Sequence, residues 1–181
     1  MWTIEKELIY LAGGSSIETS MVNLGLIGSL SEAFFIDSAN SSWCKLGSET
    51  WSYRFKILLE EHSIDLIVKC CAPSFAPIPV SEICDKWFLR RRCLCDSGVT
   101  APCVLVRKGA TWIEEYVPFS LEEALRENEY DDVIESLAYT LSILYTSGYQ
   151  PISLHDIRST GHNAVLIDFG WDLGEKTLIA V

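Results

Sequence analysis

Two neighbouring stretches of alternating residues constrain the fold of this chain more than any other feature. Residues 51–57 alternate with a period of two and are rich in aromatic side chains, which predicts a half-buried strand. After a polar turn at residues 60–65, residues 66–71 are more uniformly apolar and predict a second, more buried strand. Because only a short turn separates the two strands, we expect them to form an antiparallel hairpin.

The first 45 residues predict a helical extension ahead of this sheet. Charged and apolar residues recur with helical spacing over residues 2–11, and the Gly13-Gly14 pair stops that helix. The Ser15-Ser16 pair offers a cap for a second helix, which we expect to continue to Phe35.

The rest of the chain predicts further helices and short strands. They are, in chain order, a helix over residues 81–95 that ends near Gly98, a hairpin over residues 104–113, a helix start with a capping box of Ser120 and Glu123, an amphipathic helix over residues 130–146, and short strands over residues 152–157 and 164–167. A helical extension, a strand-rich middle and a helical end with a terminal hairpin together predict the α+β class.

Charge and hydropathy bear on the partners of the protein. The net charge of −11, from 14 basic and 25 acidic residues, repels phosphate backbones and argues against nucleic-acid binding. A negative charge of this size can attract a cationic substrate or a basic surface on a partner protein, or it can serve only to keep the protein soluble. Residues 21–36 are apolar but are interrupted by Asn23 and Glu32, so we expect no membrane span.

The cysteines and the N-terminus indicate a cellular compartment. The seven cysteines include no C-x-x-C pair, and no histidine lies at zinc-binding spacing from a cysteine pair. We therefore expect buried, reduced thiols rather than a zinc site. Residues 1–7 are charged and do not have the pattern of a signal peptide. Both observations predict a cytoplasmic protein.

Two aspartates in the C-terminal part offer the chemistry of phosphoryl transfer. Asp168 directly follows a short apolar strand, and Asp156 lies twelve residues earlier in the preceding strand segment. Phosphoryl transfer needs one carboxylate to hold Mg²⁺ and another to orient the attacking hydroxyl and accept its proton. Asn163 lies between them and offers a second metal-binding oxygen, or is only a turn residue. Asp168 and the Phe-Gly pair after it can also be a simple turn.

A lysine in the strand-rich part fits the same chemistry. Lys69 ends the second predicted strand, where it can neutralise the α- and β-phosphates of a nucleotide or serve as a solubilising residue on an edge strand. Glu82, near the start of the following helix, can pair with Lys69 or simply complement the helix dipole. Asp85 is the rival partner.

Two backbone segments would complete a nucleotide site. A turn at Gly47 and Ser48, just before the first strand, can lay N–H groups over phosphates or be an ordinary turn. The linker after the second hairpin can pair with an adenine edge through the Glu115 carbonyl and the Val117 N–H. Such backbone pairing requires no particular side chain.

Taken in order, these features resemble the protein-kinase-like superfamily, and its aminoglycoside and choline phosphotransferase branch in particular. The likeness covers about residues 46–172 and includes the Gly-Val-Thr-Ala-Pro segment at residues 98–102 and the Glu-Tyr-Val sequence at residues 115–117. It implies a small bilobal fold with an antiparallel sheet in the N-lobe, residues 46–117, and a reduced, mainly helical C-lobe, residues 118–181. Residues 1–45 are then a helical N-terminal extension.

The resemblance also implies ATP and Mg²⁺ as cofactors and a role for each matching residue. Lys69 would bind the α- and β-phosphates with Glu82 as its partner, Asp156 would be the catalytic base, Asn163 and Asp168 would bind Mg²⁺, and His155 would be a structural member of the catalytic loop. Gly47, Ser48, Glu115 and Val117 would contact the nucleotide through the backbone.

Three departures from that family pattern are visible. Six residues rather than four separate Asp156 from Asn163, and the hairpin usually found between Asn163 and Asp168 is missing. Too few residues follow Gly170 for an activation segment and the helices of a substrate site. Such trimming is similar to minimal kinases among bacterial effectors, which would act in a host cytosol.

The sequence therefore predicts an ATP-dependent phosphotransferase that acts on a hydroxyl of a small molecule or a protein. The alternatives are a catalytically inactive pseudokinase that binds a nucleotide or a partner, and an α+β domain unrelated to kinases. We expect Lys69→Ala and Asp156→Ala each to abolish turnover while the fold stays intact.

Overall fold

The computed structural model describes residues 2–37, 44–46, 49–73, 75–126, 130–151, 153–170 and 173–175. The chain divides into two compact units, unit 1 with Met1–Ser81 and Cys103–Tyr116, and unit 2 with Glu82–Pro102 and Val117–Val181. The predicted boundary between residues 45 and 46 falls inside unit 1. The predicted boundary after residue 117 lies next to the change from unit 1 to unit 2 at Tyr116.

Unit 1 is an antiparallel sheet with two helices. In chain order its elements are α1 (Ile4–Ala12), α2 (Ile17–Asn23), β1 (Phe35–Asp37), β2 (Cys44–Leu46), β3 (Thr50–Leu58), β4 (Ser63–Cys71), β5 (Val104–Lys108) and β6 (Thr111–Glu115). The six strands are ordered β1-β3-β4-β6-β5, with β2 also paired to β3. Both predicted hairpins are confirmed, β3 with β4 and β5 with β6. The mixed α+β class is confirmed as well.

The N-terminal segment differs from the predicted pair of long helices. α1 ends as predicted at Gly13, which adopts a left-handed conformation with φ of 68°, and Ser16 caps α2. The predicted continuation to Phe35 is wrong, because α2 ends at Asn23 and Gly25 turns the chain with φ of 69°. Phe35 instead begins β1, which pairs with β3.

The core of unit 1 lies between the two helices and one face of the sheet. Leu8 of α1 and Met21, near the end of α2, are fully buried in one cluster with Phe55 of β3 and Val68 of β4. Because neighbouring side chains of a strand point to opposite faces, Lys69 projects from the other face of the sheet.

Unit 2 contains most of the helical residues and three short strand pairs. Its elements are most of α3 (Val80–Asp96), then β7 (Phe119–Ser120), α4 (Leu121–Arg126), α5 (Tyr130–Thr146), β8 (Tyr149–Pro151), a 3₁₀ turn (Leu154–Asp156), β9 (Ile157–Ser159), β10 (Ala164–Leu166) and β11 (Leu173–Glu175). The strands pair as β10-β9-β7 and as β11-β8. Among the described helices of the chain, none offers the run of apolar residues that a bilayer span requires.

The first of the two predicted C-terminal strands is only partly present. Residues 154–156 form a 3₁₀ turn rather than a strand, because the Ser153 side chain accepts from the His155 N–H and the Asp156 carboxylate accepts from the Ser153 N–H. β9 begins only at Ile157. The second predicted strand is confirmed as β10.

The thiols are less uniformly buried than the sequence predicts. Cys71 and Cys84 are buried, whereas Cys93 and Cys103 are exposed. Burial raises the pKa of the half-buried Cys95 thiol above its ordinary value.

The capping box that opens α4 is confirmed and makes the stability of this helix depend on pH. The Ser120 N–H donates to the Glu123 carboxylate at 2.7 Å, and the Glu123 N–H donates to the Ser120 hydroxyl at 3.1 Å. The bond from the Ser120 backbone, followed by the one with its hydroxyl, holds the pKa of Glu123 below its ordinary value of 4.5.

We expect Glu123→Gln to be less stable than the wild type at pH 7, and this difference in stability to be smaller at pH 3. A carboxyl group with a depressed pKa stabilises the fold above its unfolded pKa, and this contribution is lost as the pH falls through the folded value. Urea unfolding of both proteins at the two pH values measures this. An equal difference at both pH values would show that the charge of Glu123 does not matter.

Candidate functional site

A buried ion pair lies within the sheet of unit 1. The Lys69 ammonium is 2.7 Å from a Glu114 carboxylate oxygen, and the two side chains are only 10% and 2% exposed. The other Glu114 oxygen accepts from the Trp112 indole N–H at 2.9 Å. Lys69 is directly opposite Trp112 in the register of β4 and β6, so the three side chains share one face of the sheet.

The position of Lys69 excludes one of its two interpretations, and its role in binding phosphates stays a prediction. β4 lies between β3 and β6, so Lys69 is not a solubilising residue on an edge strand. Glu114 is a partner that the sequence analysis missed, since only the register of β4 against β6 brings it beside Lys69. Glu82 is exposed on α3 in unit 2, and its predicted pairing with Lys69 stays a prediction.

The linker after β6 is held by its own backbone and by an arginine that the sequence did not single out. The Glu115 N–H donates to the Cys103 carbonyl at 3.0 Å. The Arg158 guanidinium donates to the carbonyls of Val117 and Pro118 at 2.8 and 2.7 Å. Within the described part of the chain the Val117 N–H has no hydrogen-bond partner, so its predicted contact with an adenine edge stays open. Gly47 and Ser48 lie outside the described residues.

The structure brings Asp156 and Asp168 to the same end of the β9–β10 hairpin. Ile157 pairs with Leu166, and the Ile167 N–H extends this ladder by donating to the Asp156 carbonyl at 2.8 Å. The two aspartates therefore lie at the same end of the hairpin, where its strands are not joined by a turn. Asp156 directly precedes β9, and Asp168 follows β10. Their place at the ends of adjacent strands was predicted from their positions after apolar segments, and the meeting of their carboxylates at one site stays a prediction.

Backbone N–H groups hold one oxygen of each aspartate. Asp156 is buried, and its Oδ2 accepts from the Ser153 N–H at 3.2 Å. Asp168 is half-buried, and its Oδ1 accepts from the Gly170 N–H at 2.8 Å. The turn after Asp168 is fixed in addition by Arg90 of α3, which donates to the Phe169 carbonyl at 3.1 Å. Both carboxylates are thus oriented before any ligand binds.

Asn163 lies at the opposite end of the same hairpin. It is exposed, and its backbone is tied to Thr160 in the turn that joins the two strands. At about 3.3 Å per residue, the four residues to Ile167 separate it from the paired aspartates by about 13 Å. The structure therefore does not bring Asn163 and Asp168 together, and Asn163 is the turn residue that the sequence analysis gave as its alternative role.

A cleft of 550 Å³ lies in unit 2 beside the turn that carries Asp156. Its lining is mainly apolar with charged groups among it, namely Leu121, Leu125, Leu154 and Ile157 together with Ser120, Glu122, Arg126, His155 and Arg158. His155, expected to be structural, is exposed and belongs to this lining. The volume of the cleft is in the range of sites that bind small molecules.

The base of the β9–β10 hairpin carries carboxylates, the type of ligand that Mg²⁺ prefers in proteins. Among the described residues, no group of three or more histidine, cysteine or acidic side chains could hold a metal ion. Mg²⁺ is usually bound by one or two carboxylates, with water and phosphate oxygens completing its shell. Asp168 is the carboxylate that the sequence predicts for Mg²⁺, Asp156 lies at the same end of the hairpin, and the binding of a metal ion by either stays a prediction.

Neither a scan against models of protein families nor a search of curated proteins finds a match to this chain. The functional argument therefore rests on the geometry of the chain itself. Lys69 belongs to unit 1 and both aspartates to unit 2. That these residues meet around one nucleotide stays a prediction.

Proposed function

We propose that this protein is an ATP-dependent phosphotransferase that transfers the γ-phosphoryl group to a hydroxyl of a small molecule or protein. The observation that carries the proposal is the pair of backbone-oriented carboxylates, Asp156 and Asp168, at the base of one hairpin. The buried Lys69 in a five-stranded run of antiparallel sheet supports it. Units 1 and 2 are then the two lobes of a small kinase-like fold.

The geometry favours a revised role for Asp156. With Asn163 at the far end of the hairpin, Asp168 lacks the second metal-binding residue that the sequence assigned to it. The Asp156 carbonyl accepts from the Ile167 N–H, so the backbone of Asp156 lies beside the residue that precedes Asp168. We therefore assign Asp156 to holding Mg²⁺ together with Asp168, rather than to acting as a base. Mg²⁺ bound there would neutralise charge on the phosphates.

In this proposal Lys69 binds the α- and β-phosphates of the nucleotide. Its ammonium is kept in place by Glu114, which is in turn fixed by the Trp112 indole. A lysine held in this way offers a fixed positive charge to the α- and β-phosphates.

The cleft indicates the kind of acceptor. Leu154 and His155 line it and directly precede Asp156 in the 3₁₀ turn. Leucine and isoleucine side chains supply most of its apolar lining, and Glu122 is the one acidic residue among the described residues that line it. An acceptor with an apolar group therefore fits this cleft better than the cationic acceptor that the net charge of the chain suits.

One observation favours a pseudokinase as the second candidate. Asn163 does not reach Asp168, so a metal-binding element of the active family is displaced. A domain that binds nucleotide through Lys69 and Asp168 without transferring phosphate is consistent with that loss.

We expect ATP with Mg²⁺ to raise the thermal unfolding midpoint, because a ligand that binds only the folded state stabilises it. The shift should need both components and should be smaller in Asp168→Ala. Asp131→Ala, which removes an exposed aspartate of α5, is the matched control and should behave like the wild type. Differential scanning fluorimetry measures both. No effect of nucleotide on the wild type would leave the unrelated α+β domain as the correct interpretation.

A further inference from the structure

Two segments of unit 2 form the walls of the 550 Å³ cleft. One wall is α4, where Leu121 and Leu125 are four residues apart and therefore share a face of the helix. The other wall is the 3₁₀ turn with the start of β9, and α4 contacts β9 directly. Every described residue of the lining belongs to unit 2, so the cleft is formed within that unit.

The apolar lining of the cleft continues from the core of unit 2 to its surface. Ile157 is 1% and Leu121 is 6% exposed, and Leu125 is half-buried. Leu154, in contrast, is 58% exposed. A ligand that covers such a leucine is stabilised, because apolar surface leaves water. We therefore expect the apolar part of a ligand to lie against Leu154 and Leu125.

The charged groups of the lining have the opposite balance from the chain as a whole. The chain carries a net charge of −11. The described lining has two arginines, Arg126 and Arg158, against one acidic residue, Glu122. His155 adds a further positive charge when it is protonated. A positive lining in an acidic protein indicates an anionic ligand.

The two arginines are held in different ways. Arg158 donates to the carbonyls of Val117 and Pro118, which orient its guanidinium group without carrying a charge themselves. Arg126 pairs with Glu122 one turn earlier on α4, and the two side chains are 74% and 75% exposed. An ion pair so exposed contributes little to stability, so Arg126 can exchange Glu122 for a bound anion at small cost.

The behaviour of one nearby carboxylate supports this reading of the charges. Hydrogen bonds with Ser120, and after them the charges of Arg158 and Arg126, hold the pKa of Glu123 below its ordinary value of 4.5. Glu123 itself belongs to the capping box of α4 and is not among the described residues of the lining. Both guanidinium groups thus stabilise negative charge close to this end of the cleft.

We propose that the cleft binds a small organic carboxylate, with an apolar chain or ring against Leu154 and Leu125 and the carboxylate at Arg126 and Arg158. A guanidinium group can donate two parallel hydrogen bonds to one carboxylate, so it orients the ligand as well as attracting it. A site that is mainly apolar with a few charged groups is typical of small-molecule binding.

As the phosphoryl acceptor this ligand would be a hydroxy acid, and that part of the proposal rests on the proposed function. The cleft lies beside the turn that carries Asp156. The hydroxyl oxygen would bond to the γ-phosphorus of ATP, the bond from that phosphorus to the β-phosphate oxygen would break to release ADP, and the hydroxyl proton would pass to water. Binding of the carboxylate itself requires neither nucleotide nor metal.

Octanoate, 1-octanol and octylamine test the chemistry of the site, because they share an eight-carbon chain and differ in the charge of the head group. Each is titrated into the ¹⁵N-labelled full chain without nucleotide or Mg²⁺, and the amide signals are followed by NMR. We expect octanoate to bind with a dissociation constant on the order of 1 mM and to shift the signals of residues 121–126 and 154–158. 1-Octanol should bind about three- to tenfold more weakly, and octylamine, which is cationic at neutral pH, more weakly still.

Two variants of the exposed ion pair separate ligand binding from a structural role. Glu122→Gln should tighten octanoate binding about threefold and Arg126→Gln should weaken it at least about threefold, because they change the charge of the lining in opposite directions. Loss of the pair as a structural contact would change both in the same direction. Arg92→Gln is the matched control, since it removes an exposed arginine of α3 outside the described lining, and it should bind octanoate like the wild type. Leu154→Ser should weaken the binding of all three ligands.

The outcomes distinguish the parts of the proposal. Binding of 1-octanol or octylamine as tight as that of octanoate, or octanoate binding that Arg126→Gln leaves unchanged, overturns the anionic ligand. No shifts with octanoate, or shifts confined to residues outside the cleft, overturn the site.

Transfer of label from γ-labelled ATP to 8-hydroxyoctanoate tests the acceptor role. A labelled hydroxy acid supports it, whereas octanoate binding without any transfer to 8-hydroxyoctanoate overturns it. Octanoate binding by a protein that does not respond to ATP with Mg²⁺ would overturn the proposed phosphotransferase and leave the carboxylate site in place.

Discussion

Lys69→Ala is expected to lower the free energy of unfolding by about 3–5 kcal/mol, because it leaves a buried charge without its partner. Glu114 is only 2% exposed on its side chain, and its ion pair with Lys69 is 2.7 Å long. Water cannot replace the lost ammonium there at low cost. The sequence predicted that Lys69→Ala abolishes turnover and leaves the fold intact. The buried ion pair changes the second of these expectations, because the variant should be strongly destabilised.

Chemical denaturation of a small set of variants checks this. The double variant Lys69→Met, Glu114→Gln removes both charges, and we expect it to recover most of the stability lost in Lys69→Ala. Lys56→Ala is the matched control on the neighbouring strand β3, where Lys56 is 38% exposed and pairs with Asp65 at 3.3 Å. It should cost about 0–0.5 kcal/mol. Equal losses in Lys69→Ala and Lys56→Ala would show that the pair is not buried in solution.

The double variant is also the better probe of function. It removes the ammonium that we propose binds phosphate while the sheet stays folded, so any loss of turnover is then due to Lys69 rather than to unfolding. Its midpoint without nucleotide should be close to that of the wild type, and its shift with ATP and Mg²⁺ should be reduced.

Asp168→Asn is expected to reduce phosphoryl transfer by at least about 10²-fold, the usual effect of removing one preorganised charged group from such a site. The fold should be retained, because the asparagine amide oxygen can still accept from the Gly170 N–H that Asp168 accepts at 2.8 Å. Transfer of label from γ-labelled ATP, with Asp131→Asn as the matched control, measures the effect. Full turnover in Asp168→Asn would remove Asp168 from the site.

Asp156→Asn separates the two roles given to Asp156. An amide oxygen can still bind a metal ion weakly but cannot accept a proton, so the metal-binding role predicts residual turnover and weaker Mn²⁺ binding. A base predicts lost turnover with unchanged Mn²⁺ binding. The bound Mn²⁺ can be followed by its electron paramagnetic resonance signal, independently of activity. Nucleotide binding by the wild type without any turnover would instead favour the pseudokinase.

The sequence correctly predicted the elements that are formed by interactions between residues close together in the chain. The hairpin of β3 and β4 follows from alternating residues on either side of a short turn. The bounds of α5 coincide with those predicted from helical spacing and the glycine after it. The capping box of α4 needs only Ser120 and Glu123, three residues apart.

Sequence patterns predicted the wrong secondary structure in two short segments, where other interactions outweigh local propensity. A 3₁₀ turn at Leu154–Asp156 replaced part of a predicted strand, since the hydrogen bonds of Ser153 and Asp156 outweigh strand propensity over so few residues. Phe35 was assigned to a helix because its segment is apolar, yet it pairs with Leu58 in the sheet.

What the sequence alone determined is the α+β class, the two hairpins of the sheet in unit 1, and the placement of Asp156 and Asp168 at the same end of adjacent strands. Only the tertiary structure decided that Glu114 pairs with Lys69, and that Asn163 stands at the far end of the hairpin from Asp168. Both depend on strand register, which is set by how distant segments pack together. Residue types and spacing along the chain do not specify that register by themselves.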